Sequence, residues 1–288
     1  MHRVLQPFEF FEPTTVEEVV ELVDGKKSMV LAGGVDLILK MRRRFLLPEK
    51  VVSLQKVPGL DYVEGNGSGL KFGALTTLRQ IEQAQVVKEK FPLLNEAISK
   101  IVSVQTKTMG TAVGNLCVAT PASDVAPPLY VMGAQVKITG ETSKRELPIE
   151  DFFVAVGQTA LKPHEIVTEI IIPGLSSGTG TAFLKLSKTA EDIAKVNVAV
   201  MLTLADGKCS DAKIALGSVA PTPIRAGKAE EVMKGMEMDK GAIDEASEAA
   251  AEAASPISDV RSTAEYRKEM VRVLVKDALE MAIARAQA

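Results

Sequence analysis

Tryptophan is absent from this chain, and only 4% of its 288 residues are aromatic. The interior must therefore be built mainly from aliphatic residues, alanine and 11 methionines, a residue that fills gaps in cores. The apolar share of 46% and the charged share of 25% are typical of a globular protein and exclude the disordered and fibrous classes. The length is enough for about two domains, each with a sizeable core.

Cysteine and histidine are also scarce, with two of each. Cys117 and Cys209 lie far apart in sequence, so they give no disulfide framework and are too few for an iron–sulfur cluster or a zinc site in this chain alone. Any metal is therefore expected in another subunit. His2 lies near the terminus and His164 in a turn, and Ser103, Ser123 and Ser187 lie in no Gly-x-Ser-x-Gly elbow, which disfavours a hydrolase.

Positive charge is not in surplus, since the formal net charge is −3 and the isoelectric point is near 5.7. This balance argues against a nucleic-acid-binding surface. The one basic cluster, Lys40–Arg44, is expected to be a solvated helix end, and docking to an acidic partner is the alternative. No run approaches 18 consecutive apolar residues, and the first residues lack the apolar segment of a signal peptide. The sequence therefore predicts a cytoplasmic protein without a membrane span.

Apolar periodicity predicts an α+β protein in which strands and helices are mixed early and separated late. Strands are predicted at 8–11, 29–32, 51–54, 70–73, 134–138, 165–172, 181–186, 196–204 and 212–216. Helices are predicted at 13–23, 36–42, 77–85, 92–101, 242–254 and 264–286. Loops or connectors are expected at 65–69 and 147–151. The glycine- and serine-rich segment 176–181 is the clearest linker, and the main domain boundary is placed there.

Small residues are concentrated between Lys107 and Asp124, where bulky side chains are missing. Uncovered backbone N–H groups in such a stretch can hold phosphate oxygens without any lysine or arginine. The segment Thr111–Asn115 has a counterpart in Ala32–Asp36, a glycine turn between a predicted strand and a predicted helix. Neither segment matches a known phosphate-loop motif, and each alone is more often a plain turn. Together they predict a pyrophosphate that is held from two sides.

These and other segments carry a family resemblance that extends over nearly the whole chain. The segments are Leu31–Leu37, Met109–Leu116, Thr120–Asp124, Leu161–Pro173 and Lys185–Ala194. In this order they resemble the motifs of the FAD-binding medium subunits of molybdenum hydroxylases, a group that includes carbon monoxide, xanthine and nicotinate dehydrogenases. Met109–Leu116 and Thr120–Asp124 belong to one motif, so the segments form four ordered motifs, and these make the resemblance specific, whereas a single Gly-Gly would not.

The resemblance implies a two-subdomain FAD-binding fold of the vanillyl-alcohol oxidase/PCMH type, followed by a smaller α+β C-terminal domain with a sheet and helices. The implied divisions are FAD-binding subdomain 1 at 1–55, FAD-binding subdomain 2 at 56–176 and the C-terminal flavoprotein domain at 177–288. The implied FAD-binding residues are Leu31, Ala32, Gly33, Gly34, Val35, Asp36, Leu37, Ile38, Thr111, Ala112, Val113, Gly114, Asn115, Asp124, Val167 and Lys185.

In this scheme the two glycine segments wrap the pyrophosphate and ribityl chain, and Asp124 hydrogen-bonds the cofactor. Val167 and Lys185 match positions that line the flavin site in relatives. Each of these three residues also has a plain structural alternative: Asp124 as a turn cap, Val167 as strand core and Lys185 as a solvated strand residue.

Two positions depart from the family pattern. Val113 stands where relatives often have glycine, and a valine would be strained there if the position needed a positive φ, so that FAD would bind weakly or in a shifted pose. Val35 replaces a threonine and removes a hydroxyl donor, although backbone donors could suffice. The cysteine-rich insertion with which some relatives bind a cluster is absent, so no iron–sulfur centre is expected in this chain.

The resemblance implies an electron-transfer flavoprotein subunit, a role that suits a chain poor in acid–base residues. A molybdopterin-binding large subunit would oxidise the substrate, a small [2Fe-2S] subunit would carry single electrons, and FAD in this chain would pass them to an acceptor. The expected assembly is a heterotrimer that is doubled into a dimer of heterotrimers. Two alternatives stay open. One is a stand-alone flavin oxidoreductase of the same fold, such as the relatives that reduce enolpyruvyl sugar nucleotides. The other is a scaffold subunit that has lost FAD, which is motivated by Val113.

Overall fold

The chain begins with a small parallel unit of three strands and two helices. The structure is a computed structural model that describes residues 4–66 and 68–288, so the predictions at His2 and at Gly67 of the 65–69 loop lie outside the described residues. The elements are β1 (Glu9–Phe11), α1 (Val16–Leu22), β2 (Ser28–Leu31), α2 (Val35–Arg42) and β3 (Lys50–Ser53). The sheet order is β1-β3-β2, with both pairs parallel, because the helix after each strand carries the chain back to the end of the sheet where the strands begin.

Local sequence explains where these two helices begin and end. Thr15 caps α1, since its Oγ1 accepts the N–H of Glu18 at 3.2 Å. Helix α2 has Asp36 in its first turn and Lys40 and Arg42 in its last, which matches the helix dipole. The basic cluster therefore lies at a helix end, as predicted.

The second unit combines a five-stranded sheet with a group of short helices. Its elements are β4 (Val63–Asn66), β5 (Gly69–Gly73), α3 (Leu78–Gln83), α4 (Gln85–Lys90), α5 (Pro92–Ser99), α6 (Val104–Met109), α7 (Ala112–Cys117), α8 (Ala126–Val131), β6 (Gln135–Gly140), β7 (Lys144–Pro148), α9 (Ile149–Phe152), β8 (Phe153–Ala155), β9 (Gln158–Thr159) and β10 (Glu165–Pro173). The sheet is antiparallel in the order β4-β5-β10-β6-β7, and β8 and β9 form a separate pair. One hydrophobic core joins this unit to the first through Val19 and Val20 of α1.

The third unit is an antiparallel sheet covered by helices. Its elements are β11 (Thr179–Leu186), β12 (Val196–Ala205), β13 (Lys208–Gly217), β14 (Ile224–Arg225), α10 (Gly227–Met233), α11 (Lys240–Ala253) and α12 (Ala264–Ala286), with the strands in sequential order. A second core lies between this sheet and its helices, and small residues such as Ala246 and Ala282 are fully buried in it. No described helix is long and apolar enough to cross a membrane.

The two faces of this sheet belong to different cores, because successive side chains of a strand point to opposite faces. Val196, Val198 and Val200 of β12 pack in the second core, with Ala182 of β11. Phe183 of β11 and Ala199 of β12 pack in the first core instead. The odd-numbered side chains of this part of β11 and β12 therefore face the first two units.

Most of the long predicted elements are confirmed, and the errors are local. The segment 147–151 is no connector, because β7 continues to Pro148 and α9 begins at Ile149. The small-residue run is largely helical rather than a turn, since it contains the end of α6 and all of α7. The boundaries at 55 and 176 stay predictions; β10 ends at Pro173 and β11 begins at Thr179.

A half-buried ion pair fastens β7 to the start of β10 across β6. Arg145 donates from Nε and Nη2 to the two carboxylate oxygens of Glu165 at 3.0 and 2.8 Å, and the N–H of Lys162 donates to Oε2 at 2.8 Å. Hydrogen bonds from Arg145 hold the pKa of Glu165 below its ordinary value, despite burial.

Glu165→Gln is expected to lower the free energy of unfolding by about 1–2 kcal/mol at pH 7, because charge-assisted hydrogen bonds become neutral ones. A carboxyl with a lowered folded-state pKa stabilises above its unfolded pKa and loses that effect as pH falls through the folded value. The difference from wild type should therefore shrink below about pH 4. Urea unfolding at pH 7 and below about pH 4 measures this difference in the free energy of unfolding. Glu146→Gln, at an exposed position of β7, is the control. An equal loss at both pH values would contradict the assignment.

Candidate cofactor-binding site

The first glycine segment, Ala32–Asp36, lies at the N-terminus of α2. Gly34 is the N-cap residue, with φ 71° and no side chain to accept a hydrogen bond. Among the described residues, no hydrogen bond uses the N–H groups of Val35, Asp36 or Leu37. Three donors and the positive end of the helix dipole are therefore available to an anion at this point. Because they are backbone donors, the loss of a threonine hydroxyl at Val35 leaves them intact.

The second glycine segment forms the N-cap and first turn of α7, and Gly110 joins it to α6. Thr111 is the N-cap of α7, and its Oγ1 accepts the N–H of Gly114 at 3.0 Å. Two backbone bonds fix the segment to the turn before α3: Leu78 N–H to Gly110 O at 2.9 Å, and Ala112 N–H to Thr76 O at 3.2 Å. In the described part of the chain, the N–H groups of Thr111 and Val113 have no acceptor. The segment thus offers two further donors.

The first glycine segment lies against Met109 and Gly110, the residues that lead into the second segment. A Cβ built on Gly33 would overlap the carbonyl oxygen of Met109 and lie 2.7 Å from its carbonyl carbon. A Cβ on Gly110 would lie 3.7 Å from Cγ2 of Val35. Glycine at position 33 is therefore required by the close approach of Met109, and the residues just before α2 lie beside those just before α7.

Val113 is not strained. It is the second residue of α7, is 5% exposed and lies outside the set of described non-glycine residues with positive φ. Its side chain packs in the first core beside Ala112 and Leu116. The strain expected for a valine with positive φ does not arise, because the backbone at this position is helical.

Asn115, the last residue of the second segment, is held by a side chain from the loop that follows α7. Ser123 Oγ donates to Asn115 Oδ1 at 2.6 Å and accepts the N–H of Ala126 at 3.1 Å. This pairing orients the Asn115 amide and places Asp124, the next residue after Ser123, beside the segment. Ser123 was not among the predicted site residues.

Asp124 is buried and bonded to two side chains of the third unit. Lys185 Nζ lies 2.6 Å from Oδ2, and Asn197 Nδ2 donates to Oδ1 at 2.9 Å. The side chains of Asp124 and Lys185 are 8% and 6% exposed. Burial raises the pKa of Asp124 above its ordinary value, while Lys185 and Asn197 act in the opposite direction. The alternative interpretation of Lys185 as a solvated strand residue is therefore wrong.

Val167 has an apolar environment. It is 4% exposed, pairs with Ile138 across β10 and β6, and lies in the same hydrophobic core as Val113. This environment is that of strand core, so contact with a flavin stays a prediction.

Asn197 was missed by the sequence analysis, although a signal was present. It is the single polar residue within Val196–Met201, and it is fully buried. A buried amide in an apolar strand needs hydrogen-bond partners, which makes it a candidate for a specific role.

The donor set fits FAD. The pyrophosphate needs several N–H donors close together, and the two glycine segments supply them where no bulky side chain intervenes. Asp124 supplies a carboxylate with free acceptor positions, since each of its oxygens has one side-chain partner and can accept a second bond.

Comparison with known proteins identifies both parts of the chain. Residues 6–175 match the family described as the FAD binding domain in molybdopterin dehydrogenase, and residues 181–282 match the CO dehydrogenase flavoprotein C-terminal domain. The carbon monoxide dehydrogenase medium chain of Afipia carboxidovorans is 34% identical over 282 residues, which cover 97% of this chain and 98% of that one. The xanthine dehydrogenase FAD-binding subunit of Escherichia coli O157:H7 is 27% identical over 278 residues, covering 95% and 94%.

A solved structure agrees with this result. A chain of carbon monoxide dehydrogenase from Hydrogenophaga pseudoflava superimposes with a TM-score of 0.95 and 32% identity, covering 98% of this chain and 99% of that one. Fold and site thus define an FAD-binding domain that is joined to a flavoprotein C-terminal domain, and the predicted α+β class is confirmed. The chain belongs to the family of FAD-binding medium subunits of molybdenum hydroxylases.

Proposed function

We propose that this chain is the electron-transfer subunit of a molybdenum hydroxylase complex. It binds FAD, receives electrons from the iron–sulfur centres of a small [2Fe-2S] subunit and delivers them to an external acceptor, while a molybdopterin-binding large subunit oxidises the substrate. We place it in a dimer of heterotrimers. The observation that carries the proposal is the close approach of Gly33 to Met109, which brings the residue before the free N–H groups of α2 against the residues that lead into the second glycine segment.

The residues of this chain bind and orient the cofactor rather than perform acid–base chemistry. The N–H groups at the start of α2 and at Thr111 would hold the pyrophosphate, and Asp124 would accept a hydrogen bond from the flavin-bearing half. Bound FAD supplies the redox chemistry, because it takes up two electrons and returns them to an acceptor. Relatives that align over nearly their full length are subunits of dehydrogenases, which supports a subunit role.

The two alternatives have less support. The scaffold alternative was motivated by strain at Val113, and that strain is absent. The stand-alone alternative requires a substrate acid and sugar-nucleotide contacts within this chain, for which the sequence offers no convincing set.

The apoprotein is expected to bind FAD and to bind FMN at least about 100-fold more weakly, because FMN lacks the pyrophosphate and each lost charge-assisted bond costs about 1.5–3 kcal/mol. Quenching of flavin fluorescence and the visible spectrum measure both affinities, and ADP should compete with FAD. Equal binding of FAD and FMN would contradict a pyrophosphate site, and no binding of FAD would overturn the proposal. Mass spectrometry of the native complex tests the partner subunits separately.

A further inference from the structure

Two side chains of the third unit, which lie directly opposite each other in the sheet, donate hydrogen bonds to Asp124. Lys185 of β11 and Asn197 of β12 are register partners in the antiparallel pair. Both positions share the sheet face of Phe183 and Ala199, which pack in the core of the first two units. The third unit therefore reaches the candidate FAD site through one cross-strand pair.

The orientation of the Asn197 amide is fixed on both sides. Nδ2 donates to Asp124 Oδ1 at 2.9 Å and to the Ser123 carbonyl oxygen at 3.1 Å. Oδ1 is buried without a hydrogen-bond partner and lies against Gly217, where a Cβ would overlap it and lie 3.1 Å from Cγ. The reversed amide would place its oxygen against the Asp124 carboxylate. A buried carbonyl oxygen without a partner costs free energy. This orientation of the amide is kept because it alone directs both N–H groups toward Ser123 and Asp124.

We propose that Asn197 is a positioning residue for FAD: it holds the Asp124 carboxylate charged and oriented toward the cofactor, so that the C-terminal domain completes the FAD site. The inference rests on the proposed function, because it requires Asp124 to bind FAD. Asn197 acts through Asp124 and need not touch the cofactor. Without the amide donors, Oδ1 of Asp124 loses its only side-chain partner in the described structure and the carboxylate can turn about Lys185.

The groups that face Asp124 determine how pH affects the site. Lys185 from β11 and Asn197 from β12 are its side-chain partners, and Lys185 Nζ also donates to the Lys100 carbonyl oxygen at 3.3 Å. Glu96, one turn earlier on α5, is paired with Arg285 at 2.8 Å. Burial raises the pKa of Asp124, and the Asn197 hydrogen bond opposes that rise. FAD affinity should be full above the pKa of Asp124 and should fall as pH drops through it; without Asn197 the fall occurs at higher pH.

The test replaces Asn197 by leucine, which has a similar shape but no donor. Titration of the apoprotein with FAD between pH 5 and 9 should show affinity about tenfold weaker near neutral pH, corresponding to the loss of one charge-assisted bond, and a pH midpoint displaced upward. Thr203→Val removes a hydrogen-bonded side chain elsewhere on the same strand, where Thr203 Oγ1 lies 2.8 Å from Thr179 Oγ1. That control should leave both the affinity and the midpoint unchanged.

An isosteric variant covers the case in which Asn197→Leu does not fold. Asn197→Asp places a second carboxylate beside Asp124, so FAD binding should weaken by more than in the leucine variant above neutral pH and recover partly as pH falls. Folding of each apoprotein is measured by thermal unfolding. A folded variant with wild-type affinity and midpoint overturns the role of Asn197, whereas failure of the wild-type protein to bind FAD overturns the proposed function instead.

Discussion

Gly33→Ala is expected to weaken FAD binding by about 10- to 100-fold. The new Cβ would overlap the Met109 carbonyl oxygen, so the two glycine segments must separate. Forcing an extra carbon into a packed contact costs about 1–3 kcal/mol, which at about 1.4 kcal/mol per tenfold gives this range. FAD affinity falls because separation of the segments moves apart the N–H donors that together bind the pyrophosphate. Fluorescence titration of the apoprotein with FAD measures the effect.

Gly227→Ala is the matched control for this experiment. Gly227 is the first residue of α10, and a Cβ there meets no atom within 4 Å. This variant should bind FAD normally and unfold with equal or slightly higher stability, since alanine favours helix by up to about 1 kcal/mol over glycine. Wild-type FAD affinity in Gly33→Ala would show that the contact between the segments does not shape the site.

Lys185→Met is expected to lower the free energy of unfolding by about 3–5 kcal/mol near neutral pH, because it leaves Asp124 as a buried charge without its ion-pair partner. Burial raises the pKa of Asp124, and removal of Lys185 raises it further. A group with a raised folded-state pKa contributes stability that is present below its unfolded pKa and is lost as pH rises through the folded value. The deficit of the variant should therefore shrink as pH falls toward the ordinary aspartate pKa of about 3.9.

Urea unfolding across this pH range measures the deficit, and a double variant separates charge from packing. Asp124→Asn combined with Lys185→Met removes both charges, so most of the stability at neutral pH should return. If the double variant is as unstable as Lys185→Met alone, the loss comes from packing around the Lys185 stem and the buried charge is not its cause.

The longest elements were the easiest to predict from the sequence. The nine residues of β10 and the 23 residues of α12 show enough periods of apolar residues to be recognised. The three residues of β8 and the two of β14 show no period, and they form because neighbouring strands supply the pairing. Helix α7 is predicted as a turn because its valine, glycine, asparagine and cysteine are weak helix formers, although Thr111 supplies a cap.

For the site, the sequence predicted the candidates but not the contacts between them. Glycines that allow close approach are visible as residue types, yet the atom that approaches Gly33, the Met109 carbonyl, belongs to a distant segment and has no signature. The departure at Val113 could not be resolved from the sequence, because only the backbone conformation shows whether valine is tolerated. Asn197 could have been recognised as a buried amide, but its partner Asp124 could not.

The two side-chain hydrogen bonds to Asp124 also determine when its site can close during synthesis of the chain. They come from residues 61 and 73 positions later in the chain. A nascent chain that has left the ribosome only as far as β10 contains both glycine segments but neither Lys185 nor Asn197. Its Asp124 carboxylate remains in water until β11 and β12 emerge and dock. Closure of the site around Asp124 is therefore a late event in the making of this subunit, and a chain truncated after β10 would carry an open site.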